Sequence, residues 1–396
     1  MTSDFAQPEN PRTLLVLGGS LYQVPFIEAA QRLGVRVVTA DNRPGNPGHG
    51  LADAYVECST VDVEGICHIA RELRVDGILA AATDVALDAV AAVVDRLGLA
   101  GPLPTCVDTL TRKGAFRTYQ RQAGLPHPEL FDGIPPRFPV IVKPNRSSGS
   151  KGIQVVNDAR QWGQAQEIAA PFSMDGVVIS EEFIAGHQGT VEGLIRHGKV
   201  GAMMVTDRLT AKAPHVGTLG HRTPATLPPT VQVALQQQVE KILGDLNYAD
   251  GPFDGDFVVA GGVVYLLEIT PRVGGNSLTK LWAAARGLDM PKAAVLEALG
   301  VREPITLSQA RVAMVRILSV ESAGWLEYDI GAVQSLAQDA RVFSLELDHR
   351  PGSRVEAFVD GRHRIGDLTV AADTAAEADA LLSDALARLR LRANPA

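Results

Sequence analysis

Over the first hundred positions, short apolar runs alternate with amphipathic stretches. The strand Thr13–Leu17, apolar from Leu14 on, leads through Gly18-Gly19-Ser20 into a helix-period segment from about Gln23 to Leu33. A second run, Val35–Ala40, ends in Asp41. After the Pro/Gly-rich Arg43–Gly50 come a helix near Val63–Leu73, a strand at Gly77–Ala81 and a helix from about Asp84 to Leu97. Apolar strands alternating with helices predict a doubly wound parallel α/β unit. Gly-Pro-Leu-Pro at 101–104 closes it as a linker.

The grain changes at Asp108. A polar helix over Asp108–Ala123 precedes the strand Phe138–Lys143, the loop Ser147–Gly152, the strand Ile153–Val156, a helix around Ala159–Ala169 and the strand Val177–Phe183. Strands Thr190–Arg196 and Lys199–Val205 flank His197-Gly198. A long irregular piece, Asp207–Pro229, leads to the helix Thr230–Leu246, and a hairpin, Phe253–Val259 and Val263–Ile269, leads to the helix Ser277–Arg286. The tail carries strands near Val312–Ser319, Val342–Leu347, Arg354–Val359 and Arg364–Val370, then the helix Ala375–Arg388. These later segments read as mostly antiparallel α+β. The expected division is 1–104, 105–300 and 301–396, the middle part splitting into lobes of about 108–185 and about 186–300.

Composition narrows the class. With 46% hydrophobic and 21% charged residues in 396, the chain is neither disordered nor low in complexity. Its formal net charge of -8 argues against a globally basic nucleic-acid binder. Cys58, Cys67 and Cys106 form no C-x-x-C pair and read as core residues of a reducing cytoplasm. The first dozen residues are polar and lack the apolar core of a signal peptide. Asp84 and Asp88 interrupt the longest apolar stretch, Ile78–Val94, so no membrane span is expected. Only eight of the 37 basic residues are lysine, and just three lie in the first half, at 113, 143 and 151.

The N-terminal glycines supply a tight turn but lack the G-x-G-x-x-G of a dinucleotide site, so a Gly-rich turn feeding a helix is preferred. The segment around Lys143 carries more chemistry. An apolar strand ends in Lys143-Pro144, and the loop Ser147-Ser148-Gly149-Ser150 offers hydroxyls and backbone N–H groups for a polyphosphate, with lysine as counter-charge. A Gly/Ser loop alone suits a flexible turn equally well, but Lys113 and Lys143 both stand in Lys-poor sequence. The apolar strand ending in Glu181-Glu182-Phe183-Ile184 can offer backbone hydrogen bonds to an adenine, or be an ordinary strand end.

In the hairpin, register decides the chemistry. A two-residue turn would put Asp256 and Glu268 on opposite faces; a three-residue loop, Ala260-Gly261-Gly262, would bring them to one face with Asp254 opposite Glu268. The three-residue loop is expected, because carboxylates meeting there suit oxygen ligation of Mg²⁺. Arg272, after Pro271, can hold a transferring phosphoryl group or sit in a surface ion pair.

Taken in order, Lys113, Lys143-Pro144 with its loop, Glu181–Ile184, Asp256 and Glu268-x-x-Pro-Arg272 resemble the ATP-grasp superfamily over most of the chain. Glu268-Ile-Thr-Pro-Arg-Val-Gly-Gly-Asn-Ser277 and Gly220-His221-x-x-Pro224 look most like the ATP-dependent amino-acid (dipeptide-forming) ligases. The resemblance implies a pre-ATP-grasp α/β domain, an ATP-grasp region with a nucleotide-cradling and a catalytic lobe, and a C-terminal α+β lid. It implies a carboxylate–amine ligase working through an acyl phosphate and releasing ADP and phosphate. The alternatives are a carboxylase-type, carboxyphosphate-forming enzyme and a non-catalytic ATP-binding regulator. ATP and Mg²⁺ (or Mn²⁺) are the implied cofactors. Lys113, Lys143, Ser147–Ser150, Glu181–Ile184 and Glu192 would attend the nucleotide. Asp256 and Glu268 would bind metal, with Asn276 or Glu192 compensating for Thr270 where the family carries Asn. Arg272, Gly275 and His221 would serve catalysis. The partners implied are small carboxylates and amines, amino acids first among them, without nucleic acid or membrane, in a cytoplasmic protein whose default assembly is a homodimer. Arg208, Lys212, His215 and Arg222 make the Asp207–Pro229 segment either an acid-recognition loop or a mobile lid.

Overall fold

The computed structural model describes residues 11–211 and 217–395, so Lys212 and His215 lie outside the described residues. The N-terminal strands β1 (Thr13–Leu17), β2 (Arg36–Asp41), β3 (Ala54–Glu57) and β4 (Gly77–Leu79) form a parallel sheet in the order β3-β2-β1-β4. Helix α1 (Val24–Arg32) packs against Leu14 and Val16 on one face, while α2 (Val63–Glu72) and α3 (Leu87–Leu97) bury Leu15 and Leu17 on the other. Covered on both sides, β1 is apolar from Leu14 to Leu17. The edge strand β3 escapes the periodicity reading because it is only half-buried. A Cβ on Gly19 would come within 2.2 Å of the His49 ring, and the Gly48 N–H bonds to the Gly19 carbonyl at 2.7 Å. His49 and Gly48 fill the space over Gly19 itself, while Gly18 and Ser20 on either side of it open onto a cavity.

The single helix expected over Asp108–Ala123 is two helices, α4 (Pro104–Thr111) and α5 (Lys113–Gln122), parted at an extended Arg112. Asn145 makes the break: its carbonyl takes the Lys113 N–H at 3.0 Å and its side chain takes the Gly114 N–H at 2.8 Å. Lys113 is thereby fixed at the start of α5. A small antiparallel sheet follows, built from β5 (Leu130–Phe131), β6 (Val140–Pro144), β7 (Gln154–Val156) and β8 (Val178–Glu182), with α6 (Ala159–Ala169) packed on it.

The central sheet begins with β9 (His187–Arg196), β10 (Lys199–Thr210), β11 (Thr218–Thr223), β12 (Gly251–Ala260) and β13 (Val263–Thr270), with α7 (Pro229–Asp245) on one face. Asp207–Thr210 and Thr218–Thr223 are therefore strand, where an irregular segment was expected. The tail strands are β14 (Val312–Leu318), β15 (Gly324–Glu327), β16 (Val342–Leu347), β17 (Arg354–Val355), β18 (Gly366–Ala372) and β19 (Arg392–Asn394). Three of them extend the central sheet to eight strands, β13-β12-β9-β10-β11-β14-β18-β16, and the others form a small sheet of their own. Helices α8 (Leu278–Arg286) and α9 (Met290–Ala298) lie between the two large layers. Their Trp282, Met290 and Val295 share one core with Leu14, Val16 and Val37 of the parallel sheet and with Leu194, Met204 and Val315 of the central one.

The hairpin register departs from expectation. Ala260 pairs with Val263 across a two-residue turn, with Gly261 and Gly262 at φ +56° and +80° as a type I′ turn requires. Asp254 consequently stands opposite Thr270, not Glu268. Asp256 nonetheless faces Glu268, because Phe257 pairs with Leu266 and the next pair is Asp256 with Glu268. Leu267 is the extra residue of a β-bulge, which reverses the face of everything beyond it.

Candidate active site

A cavity of about 540 Å³ opens between the carboxyl ends of the parallel strands and one face of the central sheet. Of the residues expected at the site, Lys113, Ser147, Ser148, Gly149, Ser150, His221, Asp256, Glu268, Arg272, Gly275 and Asn276 line it. Lys143, Glu181, Glu182, Phe183, Ile184 and Glu192 are not on its wall. The Ser147–Ser150 loop turns on left-handed backbone at Gly149 and Ser150 (φ +71° and +58°), and Asn276 and Ser277 enter α8 the same way. Strained backbone of this kind concentrates where a loop must approach a ligand.

The carboxylates are paired with side-chain cations. Asp256 accepts Thr190 Oγ1 at 2.6 Å and Arg208 Nη1 at 2.5 Å, and Lys113 Nζ lies 3.7 Å from Glu268 Oε2. Burial pushes the Asp256 carboxyl up and Arg208 opposes that, while Glu268 adds to it. Burial also presses on Glu268, but Lys113 and Lys143 together with Arg208 and Arg272 hold it below the usual carboxylate range. Two opposed carboxylates, each already met by a positive side chain, fit a hard divalent cation. Among the described residues no third His, Cys, Asp or Glu completes a protein-only metal cage, so remaining ligands would come from phosphate or water.

Arg272 is anchored between Asp84 Oδ1, at 2.7 Å, and Asp254. Burial alone would lower its pKa, and the two carboxylates more than reverse that. Asp254 is itself pushed up by burial, with Arg272 pulling it back. It pairs across the strands with Glu192, whose carboxyl burial raises further and whose Oε2 takes the Gly274 N–H at 2.6 Å. Thr270 donates its hydroxyl to the Asp254 carbonyl at 3.3 Å.

His221 is 1% exposed, and burial, then Arg208, pushes it down to about 3. Thr206 Oγ1 lies 3.0 Å from its Nδ1 and turns its own proton to the Thr190 carbonyl at 3.4 Å. That pattern assigns the proton to Nδ1 and leaves Nε2, which has no partner among the described residues, as an acceptor.

Lys143 is buried against Glu181, which also accepts Arg117 Nε at 3.0 Å. Burial pushes the Lys143 ammonium down to about 8 despite that partner. Burial would raise Glu181, but Arg117 and Lys143 overwhelm it and hold it at about 2. Glu181 therefore serves Lys143 with its side chain.

Sequence reasoning did not place Asp84 at the site, named Arg208 only within a possible acid-recognition loop, and named Asp254 only as the residue opposite Glu268. Asp84 carried a signal, a charge inside the apolar stretch Ile78–Val94, and Arg208 was hidden in a segment read as irregular.

This geometry brings lysine, serine and arginine side chains and two opposed carboxylates to one wall, chemistry suited to a nucleoside triphosphate with a divalent metal. Residues 136–280 match the ATP-grasp domain model, and residues 316–394 match the model of the L-amino acid ligase C-terminal domain 2. The chain thus carries an ATP-grasp domain over residues 136–280. It is 26% identical to a formate-dependent phosphoribosylglycinamide formyltransferase of Synechococcus sp. (strain RCC307), over 94% of this chain and 98% of that one. The fold is shared with an L-amino acid ligase from Bacillus licheniformis (TM-score 0.80, 19% identity, 98% of this chain and 100% of that one). It is shared equally with a phosphoribosylglycinamide synthetase from Anaerococcus prevotii (TM-score 0.80, 18% identity, 97% and 100%). Among the described residues no helix is long and apolar enough to cross a membrane.

Proposed function

We propose that this ATP-grasp ligase joins a small carboxylate to an amine. ATP phosphorylates the carboxylate, the amine attacks the acyl phosphate, and an amide, ADP and phosphate leave. The observation that carries this reading is Arg272, clamped by Asp84 and Asp254 on the same wall as the opposed Asp256 and Glu268. A guanidinium held there is preorganised for the anionic intermediate.

In this reading Lys113 and Lys143 neutralise the ATP phosphates, Ser147, Ser148, Gly149 and Ser150 cover them, and the Glu181–Ile184 backbone meets the adenine. Asp256 and Glu268 would hold Mg²⁺, with Asn276 on the same wall as a supplement and Glu192, off that wall, as the other. The metal supplies charge neutralisation on the phosphates. Gly275 leaves room beside Arg272 for the acyl phosphate, and Nε2 of His221 accepts a hydrogen bond from the amine. Residues about 108–185 form the nucleotide lobe, 186–300 the catalytic lobe, 1–104 the preceding domain and 301–396 the lid. The protein acts in the cytoplasm as a homodimer.

The match to an L-amino acid ligase C-terminal domain supports amino acids as substrates. The formyltransferase relative makes formate the carboxylate to test beside them, and a carboxyphosphate-forming enzyme would need bicarbonate. ADP release is measured with ATP and Mg²⁺ across amino-acid pairs, formate with amines, and bicarbonate. Release that requires both a carboxylate and an amine supports the proposal. Release with bicarbonate alone, independent of amine, overturns it.

A further inference from the structure

We infer that Arg117 and Gln120 are positioning residues for the metal-binding carboxylates, clamping the bulge that turns Glu268 toward Asp256. The inference rests on the proposal that Asp256 and Glu268 bind the metal. Beyond the two-residue turn, a regular ladder would continue from the pair Phe257–Leu266 to Asp256–Leu267 and Gly255–Glu268. Glu268 would then lie on the face away from Asp256. The single extra residue, Leu267, prevents this, and a bulge leaves its own peptide groups short of ladder partners.

Helix α5 supplies those partners. Gln120 Nε2 donates to the Leu266 carbonyl at 2.8 Å, and Arg117 Nη2 donates to the Leu267 carbonyl at 2.8 Å. Arg117 Nη1 also donates to Gln120 Oε1 at 2.8 Å, so each side chain fixes the other. Arg117 is 1% exposed and Gln120 fully buried. Apolar side chains of like volume would fill this core without the cost of burying a charge and an amide. What the polar pair provides in addition is two donors at the two carbonyls preceding Glu268. The far end of the clamp is tied too: Arg117 Nε binds Glu181, which holds Lys143. One buried network therefore links the lysine proposed for ATP to the bulge that orients a metal ligand.

The test is Mn²⁺ binding to the full chain, followed by the EPR signal of free Mn²⁺, for wild type, Gln120→Met and Glu268→Gln. Gln120→Met is expected to weaken Mn²⁺ by about tenfold, the usual effect of removing a group that orients a metal ligand. The ATP KM at saturating metal should change less than about twofold, because a general loss of packing would move both. Deleting Leu267 restores a regular ladder with Glu268 still opposite Asp256. Combined with Gln120→Met, this deletion should recover the lost Mn²⁺ affinity. Arg117→Lys keeps a charge beside Glu181 but shortens the reach to the bulge; it should weaken Mn²⁺ likewise, and it decides the matter if Gln120→Met does not fold. If Glu268→Gln weakens binding while Gln120→Met and Arg117→Lys do not, the clamp is refuted and the metal assignment stands. If Glu268→Gln has no effect, the metal assignment itself fails.

Discussion

Acid sensitivity offers a quantitative test of the environment of His221. Its imidazole is buried and pushed down to about 3, against about 6.5 for an exposed histidine. Between those values the unfolded chain binds one proton that the folded chain does not. Because the folded pKa is the lower, the contribution is fully present above about pH 6.5 and is lost as pH falls, at about 1.4 kcal/mol per pH unit. At pH 5 the loss from this one group is about 2 kcal/mol relative to pH 7.5. The perturbation is His221→Gln, which does not titrate. Urea unfolding of wild type and variant at pH 7.5 and 5.0 gives four free energies. Other groups titrate in both proteins, so the difference between the two pH-dependent losses isolates His221. Wild type should lose about 2 kcal/mol more than the variant on acidification. Parallel losses would mean that His221 is protonated or solvated in the folded protein, and its Nε2 could not be the acceptor proposed for the amine.

Three further outcomes follow from the same geometry. Asp256→Asn and Glu268→Gln should each reduce ATP turnover by more than about a hundredfold; near-normal ADP release from both would remove them from the metal site. Arg208→Met frees Asp256 from a partly buried ion pair and should tighten Mn²⁺ binding measured without nucleotide by about tenfold, the worth of one charge-assisted bond. Unchanged or weaker binding would show that Arg208 does not compete with the metal. Gly19→Ala drives a Cβ into the His49 ring and should destabilise the protein by about 2 kcal/mol in urea unfolding; a neutral result would show that the turn over His49 yields freely.

The groups that meet at the cavity were legible because their chemistry is local to short segments. Lys113, the Ser147–Ser150 loop, Asp256, Glu268 and Arg272 each stand where a strand, turn or helix start delivers them to one wall. The way Asp256 and Glu268 come together was not legible. A Gly-Gly turn set the register as such a turn ordinarily does, and the bulge that compensates is held by Arg117 and Gln120, about 150 positions earlier in the chain. Asp207–Thr210 and Thr218–Thr223 read as loop because polar residues predominate there; in the fold Arg208 and His221 face each other on paired strands. Lys143 stood out by type and context, yet nothing local to it reveals that Glu181 and Arg117 enclose it.

The central claim is that a carboxylate is activated as an acyl phosphate before an amine displaces phosphate. Positional isotope transfer tests it most directly. With a carboxylate substrate labelled with ¹⁸O in both oxygens, turnover with ATP, Mg²⁺ and the amine should deliver one ¹⁸O atom to each inorganic phosphate released. Mass spectrometry of the phosphate reads this out. Phosphate carrying no label during amide formation would contradict the account.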